Sequence, residues 1–211
     1  LREIFKATVR IGNLYELITN NQVIGKLAEE VMLNTTSGVN CYKGLIYNLG
    51  LMITASTYSL VNLQNFDYSY CVAKELSKQT FKGEELNTFG QKVYKKYNFG
   101  GIRKEALQGY PSIRQTIPML VDYQDKTLME ALVKLISITD DSVLLKRSGS
   151  FEQMEETKYK FKCLNLDNVD EITKLNHYCI ENNLSFGGSA DILITSIYLK
   201  KLQEIFSFIE L

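Results

Sequence analysis

Proline is almost missing from this chain: Pro111 and Pro118 are the two in 211 residues. Proline breaks helices by removing a donor and clashing with the preceding turn, so its scarcity permits long ones. Tryptophan is absent, and histidine occurs once, at His177. A lone histidine on an amphipathic helix reads as structural rather than catalytic. The four cysteines, Cys41, Cys71, Cys163 and Cys179, form no CxxC pair. Their spacing does not offer the four close ligands of a structural zinc. So sparse a set in so long a chain argues against a disulfide framework, and free thiols in a reducing cytoplasm are expected. Charge of one sign is missing too, since 24 basic and 24 acidic residues cancel. That balance argues against coating nucleic acid or a membrane surface, but leaves room for a local phosphate pocket. The most apolar stretch, Gly44 to Leu63, is interrupted by Tyr47, Asn48, Thr54, Ser56 and Ser59. It reads as a buried helix rather than a membrane span, and no signal peptide is visible. Period-2 alternation is scarce as well; Tyr159, Phe161 and Cys163, separated by lysines, form the one tempting strand pattern.

What is present is helical periodicity. Ile4, Ala7, Ile11, Leu14 and Ile18 mark one stripe, and Ile24, Leu27, Val31 and Met32 a second. Further helices are predicted over Leu45–Leu63, Phe66–Ser77, Gly83–Tyr97, Thr127–Ile138, Val169–Asn182 and Ser189–Phe208, the first and last of these being central. The expected fold is all-α, a single multi-helix domain over residues 1–211, without internal repeats. The chain begins at Leu1, not Met, and inside a helical pattern. The expectation is therefore a fragment, or the ordered part of a longer protein.

Four polar segments interrupt the helices. In Asn34–Gly44, Gly38 allows a sharp turn and Asn40 can cap the next helix. Lys43 then falls in a first turn, where the helix dipole disfavours a cation; a bound anion would explain it, as would plain solvation. In Tyr97–Pro111, glycines surround Arg103 and Glu105. The Arg fork suits phosphate or carboxylate, while Glu105 reads as a base, a metal ligand or the partner of Arg103. In Thr139–Gly149, the adjacent Asp140 and Asp141 suit Mg²⁺ held against phosphates, or simply an acid-rich helix start, with Lys146 and Arg147 downstream. In Asn183–Asp191, Gly187 and Gly188 allow close approach of a ligand or of another backbone, Ser189 can cap, and Asp191 follows.

Taken together and in order, these segments resemble the triphosphoribosyl-dephospho-coenzyme A synthase family, from about Gly25 to Leu202. Glu29 with Thr36-Ser-Gly-Val-Asn-Cys-Tyr-Lys-Gly44 is similar to its Glu followed by Thr-Gly-Gly-Val-Asn-Thr-His-Lys-Gly. Gly101-Ile-Arg-Lys-Glu-Ala-Leu-Gln-Gly109 resembles Gly-x-Arg-x-Glu-Ala-x-x-Gly. Asp140-Asp-Ser-Val-Leu-Leu-Lys-Arg-Ser-Gly149 resembles Asp-Asp-Thr-Asn-Leu-x-x-Arg-Gly-Gly. Ser185-Phe-Gly-Gly-Ser-Ala-Asp191 resembles Ser-Pro-Gly-Gly-Ser-Ala-Asp. Tyr42 stands for the family's His, Ser37 and Ser148 each for a Gly, and Val143 for an Asn, and the family's N-terminal segment has no counterpart here. The resemblance implies a transferase. ATP and 3′-dephospho-CoA would be its partners, adenine would be released, and the product would feed the prosthetic group of citrate lyase or malonate decarboxylase. On the matched positions, the chemistry of that reaction assigns phosphate or substrate contacts to Asn40, Lys43, Arg103, Arg147, Gly187, Gly188 and Ser189. It assigns Mg²⁺ to Asp140, Asp141 and Asp191, and the general base to Glu105 or Glu29. Neither nucleic acid nor membrane is an expected partner, homo-oligomer formation is left open, and the expected setting is the cytoplasm. The alternative is a catalytically inactive nucleotide-binding homologue; a hydrolase that passes the ribosyl group to water is a third reading.

Overall fold

The computed structural model describes residues 2–10, 13–80 and 89–208. Among them there is no strand, in keeping with the all-α expectation. The contacts divide the chain into two compact units. The first takes the described residues within Leu1–Glu85, Glu105–Pro111 and Tyr198–Leu211; the second takes those within Leu86–Lys104 and Ser112–Ile197.

The first unit is built on α1 (Arg2–Arg10), α2 (Leu14–Thr35), α3 (Lys43–Val61) and α4 (Tyr68–Thr80). Helix α3 packs on each of the other three, and every residue from Gly50 to Thr57 is buried. By length and composition α3 alone, among the described helices, would suffice to cross a membrane, but most of it is buried within the protein. Three of the hydroxyls that interrupt its apolar run are satisfied inside the helix. Thr54, Ser56 and Ser59 donate to the carbonyls of Gly50, Met52 and Ala55 at 2.7–2.8 Å. Such back-bonding lets a buried hydroxyl avoid the penalty of an unmade bond. Phe66 meets Tyr70 and Phe206 edge-on, with ring centroids 5.7 and 5.6 Å apart.

The second unit contains α5 (Phe89–Tyr97), the start of α6 (Gly101–Gln108), α7 (Pro111–Thr116) from Ser112 onward and the 3₁₀ turn Ile117–Met119. It continues with α8 (Asp125–Ile138), α9 (Ser142–Ser148), α10 (Phe151–Lys162), α11 (Val169–Glu181) and α12 (Gly187–Phe208) up to Ile197. Helix α10 packs on α8 and α9, and α5 packs on α9. Val93, Phe99, Leu144, Leu145 and Met154 form its core, with Leu184 and Phe186 against them.

Several expectations are corrected. The end of the first apolar stripe and all of the second lie on one continuous helix, α2. Gly83–Tyr97 begins outside the described residues, and only Phe89–Tyr97 of it is seen as helix. The segments read as breaks at 97–111 and 139–149 contain α6 and α9. The strand-like Tyr159–Cys163 lies on α10 and its C-cap. All four cysteines are free, with Cys179 buried and the others exposed.

Candidate functional site

In the first unit, α2 ends at Thr35 and the chain turns through Ser37 and Gly38, both in the left-handed region at φ +55° and +86°. Asn40 Oδ1 accepts from the Lys43 amide at 3.0 Å, so it satisfies the first N–H of α3, although Tyr42 occupies the cap position itself. Lys43 Nζ lies 2.6 Å from Glu29 Oε2. This partner explains a cation in the first turn of a helix: Glu29 on the preceding helix neutralises it. Glu29 also lines a cavity of about 560 Å³ framed by residues of α1–α4. Glu105, on α6, is 8% exposed. It neighbours the fully buried Tyr110, whose hydroxyl donates to Asn48 Oδ1 at 3.0 Å. The Tyr110 hydroxyl is held well above its ordinary pKa, chiefly by burial, with Tyr47 and the Glu105 charge adding to the rise.

In the second unit, Asp141 is the organising group. It is 2% exposed. Its Oδ1 accepts from the amides of Val143 (2.9 Å) and Leu144 (3.1 Å), which caps α9. Its Oδ2 accepts from the amide (2.8 Å) and hydroxyl (3.0 Å) of Ser189 in the first turn of α12. One carboxylate thus neutralises the positive ends of two helices. Gly188 makes this geometry feasible: a Cβ there would lie 2.9 Å from Asp141 Oδ1 and 3.0 Å from its Cγ. At Gly187 the same atom would meet only Val143, at an ordinary 3.4 Å. Thr139 Oγ1 lies 3.0 Å from Ser189 Oγ and extends the network. Asp140 pairs with Lys104 on α6 at 2.8 Å. Gly101, at φ +50° and the start of α6, sits against the same turn, where a Cβ would fall 3.1 Å from Ser142 Oγ and 3.2 Å from the Asp140 carbonyl oxygen. Asp191 is pushed up to about 7, first by burial and then by the Asp141 charge.

The structure therefore pairs Glu29 with Lys43 in one unit and gathers Asp140, Asp141, Gly188, Ser189 and Asp191 in the other. Arg147 is exposed in the last turn of α9, about 9 Å along the helix axis from Asp141 at its start. Arg103 is half-buried on α6. Lys104 and Thr139 were missed by sequence reasoning; both lie inside the polar segments, but nothing in their spacing distinguishes them from solvated neighbours.

Two expectations change. Ser189 is not a cap but the recipient of one. Asp141 does not fit a Mg²⁺ site, because a carboxylate has about four lone-pair positions and all four are taken by protein donors. Among the described residues no three His, Cys, Asp or Glu side chains form a group able to hold a metal. The three-aspartate ligand set is thereby reduced to Asp191 and to Asp140, whose Oδ2 pairs with Lys104 at 2.8 Å. One carboxylate is still enough for a Mg²⁺ that arrives on substrate phosphates.

The sequence profile of CitG, ATP:dephospho-CoA triphosphoribosyl transferase, matches residues 1–209. The chain belongs to this family. Protein CitXG of Leuconostoc mesenteroides subsp. cremoris is 30% identical to it over an alignment 220 positions long that covers 94% of this chain and 46% of that protein. A probable 2-(5''-triphosphoribosyl)-3'-dephosphocoenzyme-A synthase of Lactiplantibacillus plantarum is 30% identical over an alignment of 195 positions that covers 83% of this chain and 69% of the relative. A protein of the same description from Malonomonas rubra is 28% identical over an alignment of 218 positions that covers 92% of this chain and 69% of the relative. The chain thus spans less than half of the CitXG protein and about two thirds of the other two relatives. No solved structure matches it. The CitG family is one of transferases, and the four polar segments all fall inside the matched range.

Proposed function

We propose that the chain transfers the 5-triphosphoribosyl group of ATP to 3′-dephospho-CoA and releases adenine, making the prosthetic-group precursor for the acyl carrier protein of citrate lyase or malonate decarboxylase. The observation that carries this reading is the family match over residues 1–209. In the reaction, a ribose hydroxyl of dephospho-CoA attacks C1′ of the ATP ribose. The C1′–O bond forms as the C1′–N9 bond breaks, and adenine leaves with the electron pair. The hydroxyl proton passes to a base, adenine takes up a proton as it departs, and the triphosphate stays on the sugar.

The site must neutralise the triphosphate, orient the hydroxyl and support an oxocarbenium-like carbon. Lys43, Arg103 and Arg147 are assigned to the phosphates. Asn40 and the Gly187–Gly188 turn are assigned to the ribose and phosphate surroundings, with Ser189 holding that turn through Asp141. Glu105 is the preferred base, because it is shielded from water on α6. Mg²⁺, when bound, would ride on the triphosphate, screen its charge and be held by Asp191. The four free thiols fit a reducing, cytoplasmic setting.

The test is Glu105→Gln, assayed for adenine by chromatography and for ATP binding by calorimetry. The expected result is a drop in adenine release of roughly 100-fold or more with ATP binding retained. Full turnover by that variant would remove Glu105 as the base.

A further inference from the structure

The first-unit cavity has features that the roles above leave unexplained. Ile18, Asn21, Gly25 and Glu29 line it at helical spacing from α2. Gly25 lies in the interior of a 22-residue helix, where glycine is destabilising relative to alanine. Its φ is not positive, and a Cβ added there would meet nothing within 4 Å. Neither backbone conformation nor close packing therefore calls for glycine at this place, and it opens onto the cavity.

Asn21 is also oriented for an absent partner. Thr54 spends its hydroxyl proton on the Gly50 carbonyl at 2.8 Å, so its oxygen has to accept from Asn21. That places Asn21 Nδ2 on Thr54 at 2.5 Å and turns Oδ1 the other way. Oδ1 is buried and receives no hydrogen bond. A buried acceptor without a donor is destabilising, so it marks a place where a hydrogen-bond donor belongs. The lining mixes aliphatic side chains, Ile18, Ile46, Leu51 and Leu76 among them, with polar ones such as Gln22, Lys26 and Gln79, and the volume suits a small-molecule moiety. Glu29, on the same wall, carries Lys43 beside it.

We propose that this cavity receives the adenine nucleoside of an adenine nucleotide. Its exocyclic amine donates to Asn21 Oδ1, the ring lies between the aliphatic walls in the room left by Gly25, and the sugar–phosphate end lies towards Glu29 and Lys43. The choice of adenine rests on the function proposed above, whose two substrates, ATP and dephospho-CoA, both carry that base.

Calorimetric titration of the intact chain with ATP, with dephospho-CoA and with the hypoxanthine analogue of each tests the assignment. Wild type should bind the occupant roughly tenfold or more tightly than its 6-oxo counterpart, which sets an acceptor against Oδ1. Asn21→Leu should erase that preference. Gly25→Ala should keep or raise the melting temperature while weakening the occupant, and Gly25→Leu should weaken it further. The nucleotide that weakens is the occupant. Wild-type affinity for both nucleotides in the two Gly25 variants would overturn the proposal, as would persistence of the amine preference in Asn21→Leu, or competition by pantetheine but not by adenosine. If wild type binds neither ATP nor dephospho-CoA, the proposed function falls and takes this assignment with it. Turnover that is indifferent to Gly25 removes the cavity assignment alone.

Discussion

Asp141 concentrates more consequence than any other side chain described. Its two oxygens accept four hydrogen bonds from two helix starts. Asp141→Ala removes both caps and leaves buried amides without acceptors, so a loss of about 2–4 kcal/mol in urea unfolding is expected. A loss below about 0.5 kcal/mol would contradict the double-cap reading. Asp191 next to it holds its proton up to about 7 in the folded state, against an ordinary 3.8. The folded chain then binds more protons than the unfolded chain between those values. Its contribution to stability is fully present below about 3.8 and is lost as pH climbs to about 7. Without Mg²⁺ or nucleotide, stability attributable to Asp191 should fall over that window, and Asp191→Asn should flatten the slope; an unchanged slope would assign it to other groups. Ser37 sits at φ +55°, where the family resemblance places glycine. That glycine answers a backbone requirement, and Ser37→Gly should raise stability by roughly 0.5–1 kcal/mol in the same assay. At Ser148 no such requirement exists, since the left-handed residue is Gly149 at φ +76°.

At the scale of elements, the start of α12 separates two glycines that look alike in sequence. Gly188→Ala drives a Cβ to 2.9 Å from the Asp141 carboxylate, whereas Gly187→Ala meets Val143 at 3.4 Å. The first should cost about 1–3 kcal/mol and the second close to nothing; equal effects would show that α12 does not need the close approach. The same region marks what was legible in the sequence and what was not. Helix α3 was legible because nearly continuous burial requires nearly continuous apolar residues, and α12 because its buried positions, Ile192, Leu199 and Phe206 among them, recur at helical spacing. Helices α6 and α9 were not: at eight and seven residues they are too short for a periodic signal, and their glycines and aspartates serve as caps and contacts. The positions of the candidate site were legible through the order of the four segments. The role of Asp141 was not, because an aspartate that caps a distant helix and one that holds a metal leave the same letter in the chain.

At the scale of the molecule, the described chain divides into two compact units, and the candidate residues are shared between them. Glu29, Asn40, Lys43 and Glu105 belong to one, and Arg103, Asp140, Asp141, Arg147, Gly187, Gly188, Ser189 and Asp191 to the other. Each set carries both cationic and acidic groups. The transfer itself is the central claim, and one measurement tests it most directly: incubation of the protein with ATP and Mg²⁺, with and without 3′-dephospho-CoA, with free adenine followed by chromatography. Adenine is expected only when dephospho-CoA is present, in equal amount to a new triphosphoribosylated product. Adenine released equally without dephospho-CoA, or bound ATP with no adenine in either case, would contradict it.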